Sequence, residues 1–296
     1  MAFSLVQPLQ PSAPIVLAPV EPLIRRTGTW LLRQGPAHTI MIVLALLAVV
    51  PLLWLVITAF AAPEAMAGGR LTTPSFSFEN FAYVFDAIPM LQMLGNTAVM
   101  AISMSLAQLL VAILASYGFA VFDFAGRKVI YLLFVASWLV PFQVTMIPNY
   151  VLVSQLGLLN TVAGIVVPNL CSAFAVLMLQ QHMRAIPREL IDASAMDGRG
   201  TWATLWLVIV PNLVPALASL TVILMISAWN EYTWPLLVMQ QETSVVQVGI
   251  RSFMGAEGSN WGAIMAASGL ACLPIFLLYV FLQRQIVAGF VRSGLK

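Results

Sequence analysis

The stretch Pro187–Pro215, PRELIDASAMDGRGTWATLWLVIVPNLVP, places a short charged segment directly against the start of a long apolar one. Pro187 has a fixed φ and suits the first turn of a helix. Arg188, Glu189, Asp192 and Asp197 fall among Leu190, Ile191, Ala193, Ala195 and Met196, the pattern of a short amphipathic helix. Gly198 stops it, because glycine tolerates the left-handed cap conformation. From Arg188 to Gly198 such a helix measures about 15 Å. It is too short and too charged to cross a bilayer, yet apolar runs flank it on both sides. A stiff knob tied to two membrane spans calls for a socket on another protein.

Working outward, the chain carries six apolar runs, each close to the ~20 residues that a span needs. They are Ile40–Phe60, Asn96–Phe122, Val129–Val151, Thr161–Gln181, Ala203–Trp229 and Gly262–Leu282, and none contains Asp, Glu, Lys or Arg. Hydrophobic residues make up 61% of the 296 and charged residues 8%, against about 25% charge in a soluble domain. The fold class is therefore an all-α polytopic membrane protein with six transmembrane helices. Residues 38–296 are read as its transmembrane domain, with a loop at 183–202 carrying the short helix. Proline lies inside several runs, at Pro51, Pro141, Pro148, Pro168, Pro211, Pro215 and Pro274. Single prolines kink helices for packing; together they suit a bundle that bends around a pathway.

Basic residues set the orientation. With the N-terminus inside, the inner side receives Arg25, Arg26, Arg33, Arg127, Lys128, Arg184, Arg188, Arg199, Arg284, Arg292 and Lys296. The outer side receives Arg70 and Arg251. Both termini and the 183–202 loop are expected in the cytoplasm. Residues 1–37, with prolines at 8, 11, 14, 19 and 22, read as a flexible cytoplasmic tail and not as a cleaved leader.

Several motifs carry a family resemblance. Asp192-Ala193-Ser194, Asp197-Gly198 and Ile209-Val210-Pro211 resemble the "EAA…DG…I-L-P" loop of permease subunits in binding-protein-dependent ABC importers. Asp192 stands for the family's glutamate, Ser194 for its second alanine, and Leu207 where a basic residue is frequent. Gly126-Arg127-Lys128, Gly157-Leu158-Leu159-Asn160-Thr161, Trp229-Asn230-Glu231-Tyr232, Trp234-Pro235 and the closing Gly289…Ser293-Gly294-Leu295-Lys296 extend the likeness over most of residues 90–296. The match is nearest to carbohydrate-type subunits, of the maltose and glycerol-phosphate kinds. The resemblance implies the type I importer permease fold in a bacterial or archaeal plasma membrane. It also implies a second homologous permease, two ATP-binding subunits and an extracytoplasmic solute-binding protein. Arg188, Glu189, Asp192, Ala193, Ser194, Asp197 and Gly198 would form the coupling helix seated in the ATPase, and Arg292–Lys296 would touch it too. ATP and magnesium would then belong to the partner, with no cofactor in this chain.

The residues agree with that division of labour. Lys128 and Lys296 are the two lysines, and neither follows the glycine-rich loop that cradles phosphates. His38 and His182 are isolated, and Cys171 and Cys272 lie within apolar runs, so neither a metal site nor a disulfide framework is expected. The paired carboxylates, HExxH or serine–histidine pairs of a membrane-embedded enzyme are missing from the spans. A proton-coupled carrier would want an ionisable group at membrane depth. A stand-alone carrier or channel and a membrane enzyme remain the alternatives, and purification separates them from the importer. Nucleic acid is not an expected partner. A polar solute needs uncharged hydrogen-bonding groups, and Gln143, Asn149, Asn169, Trp229, Asn230 and Glu231 are the candidates for its pathway. Interhelical hydrogen bonding is the competing role for the amides, and an aromatic interfacial belt for the tryptophans. With no Lys or Arg in a span, a neutral sugar fits better than an anion.

Overall fold

The computed structural model describes residues 23–67, 70–71, 76–240, 244–255 and 258–294. The chain divides into two units, Met1–Trp54 and Leu55–Lys296. Helix α1, Leu23–Ala59, contains Pro36 and Pro51. It takes in residues 23–37, which the sequence places in the tail. The physical reason is that the clustered helix breakers end at Pro22. The first 22 residues of that tail lie outside the described residues. Within the first unit, side chains 36–54 are exposed, and those from Ile40 to Trp54 are almost all apolar. A surface of that kind requires lipid or another apolar partner.

The second unit is helical, with two short antiparallel strand pairs among its described residues, β1–β2 (Met66–Ala67, Arg70–Leu71) and β3–β4 (Met254–Gly255, Gly258–Ser259). Helices α2 (Glu79–Ala87) and α3 (Met90–Val121) follow the first strand pair. α3 is the axis of the unit. Thr97, Ala101, Ser105, Gln108, Ala112 and Ser116 recur every three or four residues and are all buried. This stripe of small and polar residues lets neighbouring backbones approach closely, as van der Waals packing between spans requires.

The next two expected spans are broken. α4 (Arg127–Trp138) and α5 (Phe142–Gln155) meet at 95°, and α6 (Val162–Val166), with a following 3-10 turn, meets α7 (Ala173–Arg184) at 48°. Pro141 explains the first break, since it bars Val140 from helical geometry and offers no N–H to continue the ladder. Pro168 ends the second helix, and α7 restarts where the Ser172 hydroxyl accepts the Ala175 N–H at 3.3 Å. Among the described residues, four helices are long and apolar enough to cross a membrane, or six if each bent pair is one span.

The short helix α8 (Arg188–Met196) leads through α9 (Thr201–Thr204), a π-helical turn at Leu205–Ile209 and α10 (Val210–Asn212) into α11 (Val214–Trp229). α12 (Thr233–Val238), α13 (Val246–Ser252) and α14 (Trp261–Gly294) complete the chain. One core cluster joins α3, α7 and α11 through Ala112, Val176, Leu179, Leu205, Ile209 and Leu220. A second gathers the end of α1, α2, the start of α3, α13 and α14 around Val84, Met93 and Ala267.

One amide holds the second cluster together. Asn80 is buried, and its Nδ2 donates to the carbonyls of Ala59 at 3.1 Å and Ala61 at 2.7 Å. These are carbonyls that the end of α1 leaves without helical partners. A Cβ on Gly262 would lie 2.3 Å from Asn80 Oδ1, so α14 can start there only as glycine. Asn80→Ala should cost about 1–3 kcal/mol, the sum of two such bonds. The expected result is a lower thermal midpoint of the purified chain, and an unchanged midpoint would show that the amide is dispensable.

Candidate functional site

The loop between α7 and α11 is built as a stiff unit. α8 is nine residues long and ends in a left-handed glycine, with Gly198 at φ 75°. The Gly198 N–H donates to Ala195 O at 3.0 Å and the Arg199 N–H to Ser194 O at 3.1 Å. That pair of bonds is a complete Schellman cap. Inward, the Ser194 and Thr204 hydroxyls lie 2.9 Å apart, both 4% exposed. The Tyr117 hydroxyl at the end of α3 donates to Thr201 O at 3.3 Å. Ile186 and Ile191 pack on the cluster shared by α3, α7 and α11. The hydroxyl pair thus fastens α8 to α9, the tyrosine fastens α9 to α3, and Ile191 packs α8 on the cluster shared by α3, α7 and α11.

Arg188, Glu189, Asp192, Ala193, Asp197 and Gly198 are exposed, whereas Ser194 is buried. Among the named residues of the loop, then, Ser194 faces inward as the joint and the others face out. Met196 is 89% exposed and Trp202 64%, with Leu190 also outside. Met196 and Leu190 thus stand exposed among the carboxylates of α8 and its cap. Sequence reading places Met196 within an amphipathic pattern without assigning it this outward position. Its partner surface is polar at Thr204, so the buried side of so short a helix is not its most apolar side.

The other candidates lie on separate elements. Gln143 and Asn149 sit on α5, exposed and half-buried, without a hydrogen-bond partner among the described residues. Asn169 is half-buried at the break before α7, where its Nδ2 donates to Ile165 O at 2.9 Å and its carbonyl accepts Gln108 Nε2 at 2.7 Å. Trp229 is buried, and its Nε1 donates to Ala271 O at 3.1 Å, fastening α11 to α14. Glu231 Oε1 accepts the Trp234 N–H at 3.1 Å and so caps α12. Asn230 is exposed, and its Oδ1 accepts Gln247 Nε2 at 3.3 Å. Trp229 and Asn230 share a cavity of about 480 Å³ with Gln247, Cys272 and Tyr279. Gln247 and Tyr279 are additions of the structure, since single polar residues in apolar surroundings carry no motif. Among the described residues no group of three or more His, Cys, Asp or Glu is placed to hold a metal.

Residues 108–292 match the family of binding-protein-dependent transport system inner membrane components. The chain belongs to this family. As an inner membrane component it is 32% identical over 257 residues to the lactose transport system permease protein LacG of Rhizobium radiobacter, covering 86% of this chain and 94% of that one. It is 30% identical over 274 residues to the arabinooligosaccharides transport system permease protein AraQ of Halalkalibacterium halodurans, covering 90% and 96%. The sn-glycerol-3-phosphate permease protein UgpE of Yersinia pestis is 30% identical over 225 residues, covering 73% and 80%. In fold it resembles a chain of a bacterial ABC transporter for import of the acidic polysaccharide alginate, with a TM-score of 0.73 at 21% identity, covering 90% of this chain and 99% of that one. A second alginate transporter structure, in complex with an alginate pentasaccharide-bound periplasmic protein, aligns with a TM-score of 0.63 at 15% identity over 87% and 96%. These relatives are transport permeases, not enzymes, and the fold is that of an ABC importer permease.

The buried hydroxyl pair gives a stability prediction. Ser194→Ala leaves the Thr204 hydroxyl buried without that partner, at a cost of about 1–3 kcal/mol. Ser194→Ala with Thr204→Val removes both groups and should recover most of the loss. Thermal midpoints of the two variants check this, and equal losses in both would show that the pair is not coupled.

Proposed function

We propose that this chain is the permease subunit of an ATP-driven sugar importer and forms half of the translocation pathway. A second homologous permease forms the other half, and an extracytoplasmic binding protein delivers the solute. Two ATP-binding subunits, which carry the ATP and magnesium, engage the 188–198 helix from the cytoplasm. Both termini lie on that side, as the distribution of basic residues implies. The observation that carries the reading is the α8 knob: it is tied firmly to α3, α7 and α11, yet presents Glu189, Asp192, Asp197 and Met196 outward. Closure of the ATPase pair would move the knob, and its stiffness would pass the displacement to the spans. Solute would pass along uncharged groups, with Gln143, Asn149, Asn169, Trp229, Asn230 and Glu231 as candidates. The names of the curated relatives support a saccharide as cargo, and the lack of charge in the spans supports a neutral one.

Asp197→Lys reverses a charge on the exposed face, and Met196→Asp removes its most exposed apolar group. Each should lower sugar uptake at least tenfold, the equivalent of about 1.4 kcal/mol at the interface. Membrane insertion and abundance should stay the same. Uptake and transport-stimulated ATP hydrolysis that survive both changes would disprove coupling through this helix.

A further inference from the structure

A recess of about 410 Å³ opens beside α8. Arg127 from the start of α4, Arg184 from the end of α7 and Arg188 from the start of α8 line it, with Phe119 and Met183 as apolar walls. Asp192 is the one carboxylate among the lining residues. Arg127 is held in place by its bonds to Phe122 O at 2.9 Å and to the Asp123 carboxylate at 2.6 Å. The Arg184 guanidinium lies 5.8 Å from the centre of the Tyr131 ring. Neither Arg184 nor Arg188 has an ion pair among the described residues. Three guanidinium-bearing side chains from three separate elements therefore line one opening with a surplus of positive charge. Immediately past Arg127, α4 has no buried residue. Val129, Leu132 and Leu133 on it are all more than 60% exposed.

We infer that this recess holds the phosphate of an anionic phospholipid of the cytoplasmic leaflet, with the acyl chains against α4. A guanidinium matches phosphate oxygens in geometry and charge. Basic pockets between spans on the cytoplasmic side suit such headgroups. The apolar walls and the bare face of α4 favour an amphiphile over a free anion. Because Arg188 opens α8, a bound headgroup touches the element proposed to couple to the ATPase and steadies its base. The inference rests on the proposed function only for which leaflet the recess meets.

The test uses the full chain with whatever subunits co-purify, in nanodiscs of phosphatidylcholine with or without phosphatidylglycerol. Native mass spectrometry reads lipid retention, and thermal unfolding reads stabilisation. The expected result is preferential retention of phosphatidylglycerol and a higher midpoint in its presence, since a ligand of the folded state stabilises it. Arg184→Gln should weaken that retention about tenfold, the scale of one charge-assisted hydrogen bond, and Arg184→Lys should keep most of it. Equal retention of the two lipids by the wild-type chain overturns the inference without reference to any variant. A full midpoint shift with inorganic phosphate in phosphatidylcholine assigns the site to a free anion and overturns the lipid. Loss of the lipid when ATP-binding subunits are added puts a protein carboxylate there and overturns it too. None of these readouts needs transport. Uptake without lipid selectivity defeats only this inference, and lipid selectivity without uptake defeats only the proposed function.

Discussion

The contact between the Ser194 and Thr204 hydroxyls is the joint on which the loop depends. A short helix at the end of a bundle has little area to bury, so packing alone holds it weakly. A buried hydroxyl pair is different, because each group loses water and each needs the other. The Schellman cap at Gly198 then fixes where the helix ends, and the carbonyl of Ser194 belongs to that cap as its hydroxyl belongs to the joint. Rotation of α8 about its own axis would break both at once. The helix therefore moves with the end of α9 or not at all.

The same logic runs through the rest of the bundle. Within lipid, every freed backbone carbonyl must find a donor inside the protein. Gln108 reaches the Asn169 carbonyl at the broken fourth span, and Asn80 reaches the carbonyls at the end of α1. Trp234 Nε1 donates to Gly164 O at 3.0 Å, where α6 is too short to satisfy its own ends. Thr97 links α3 to α13, its hydroxyl accepting the Val246 N–H at 2.8 Å. Polar side chains sit at the breaks because the breaks make acceptors. Amides used in this way are committed to structure. Asn230 is committed in the same way, its Nδ2 donating to Ile226 O at 2.8 Å, while its Oδ1 accepts Gln247 Nε2 on an open cavity wall.

Apolar patterning made the helical membrane class legible, since six uncharged runs leave few alternatives. The prolines marked the places where spans break but not the angles. Pro141 produces a 95° bend and Pro148, inside α5, none that ends the helix. The difference lies in tertiary support, which a single sequence does not carry. The 183–202 loop was legible as a short capped helix because Pro187 and Gly198 act locally. Its facing was not. The buried side is chosen by Thr204, ten residues on, and by Tyr117 on another helix, and neither is marked by periodicity within 188–196. The Asn80 staple was invisible for the same reason, its acceptors being some twenty residues earlier in the chain.

The six apolar runs carry no Asp, Glu, Lys or Arg, whereas α8 and its cap carry Arg188, Glu189, Asp192, Asp197 and Arg199. α8 is both firmly held and exposed at the surface. It also lies close to where the helical ladder is least regular. The π-helical turn at Leu205–Ile209 and the prolines at 211 and 215 lie immediately beyond Thr204. There the i→i−4 ladder is already interrupted, so a change of angle costs fewer hydrogen bonds than it would in continuous α-helix. The firmly held joint and the irregular segment stand next to each other in sequence, so the hydrogen-bond pattern changes over a few residues from the capped α8 to the interrupted ladder ahead of α11.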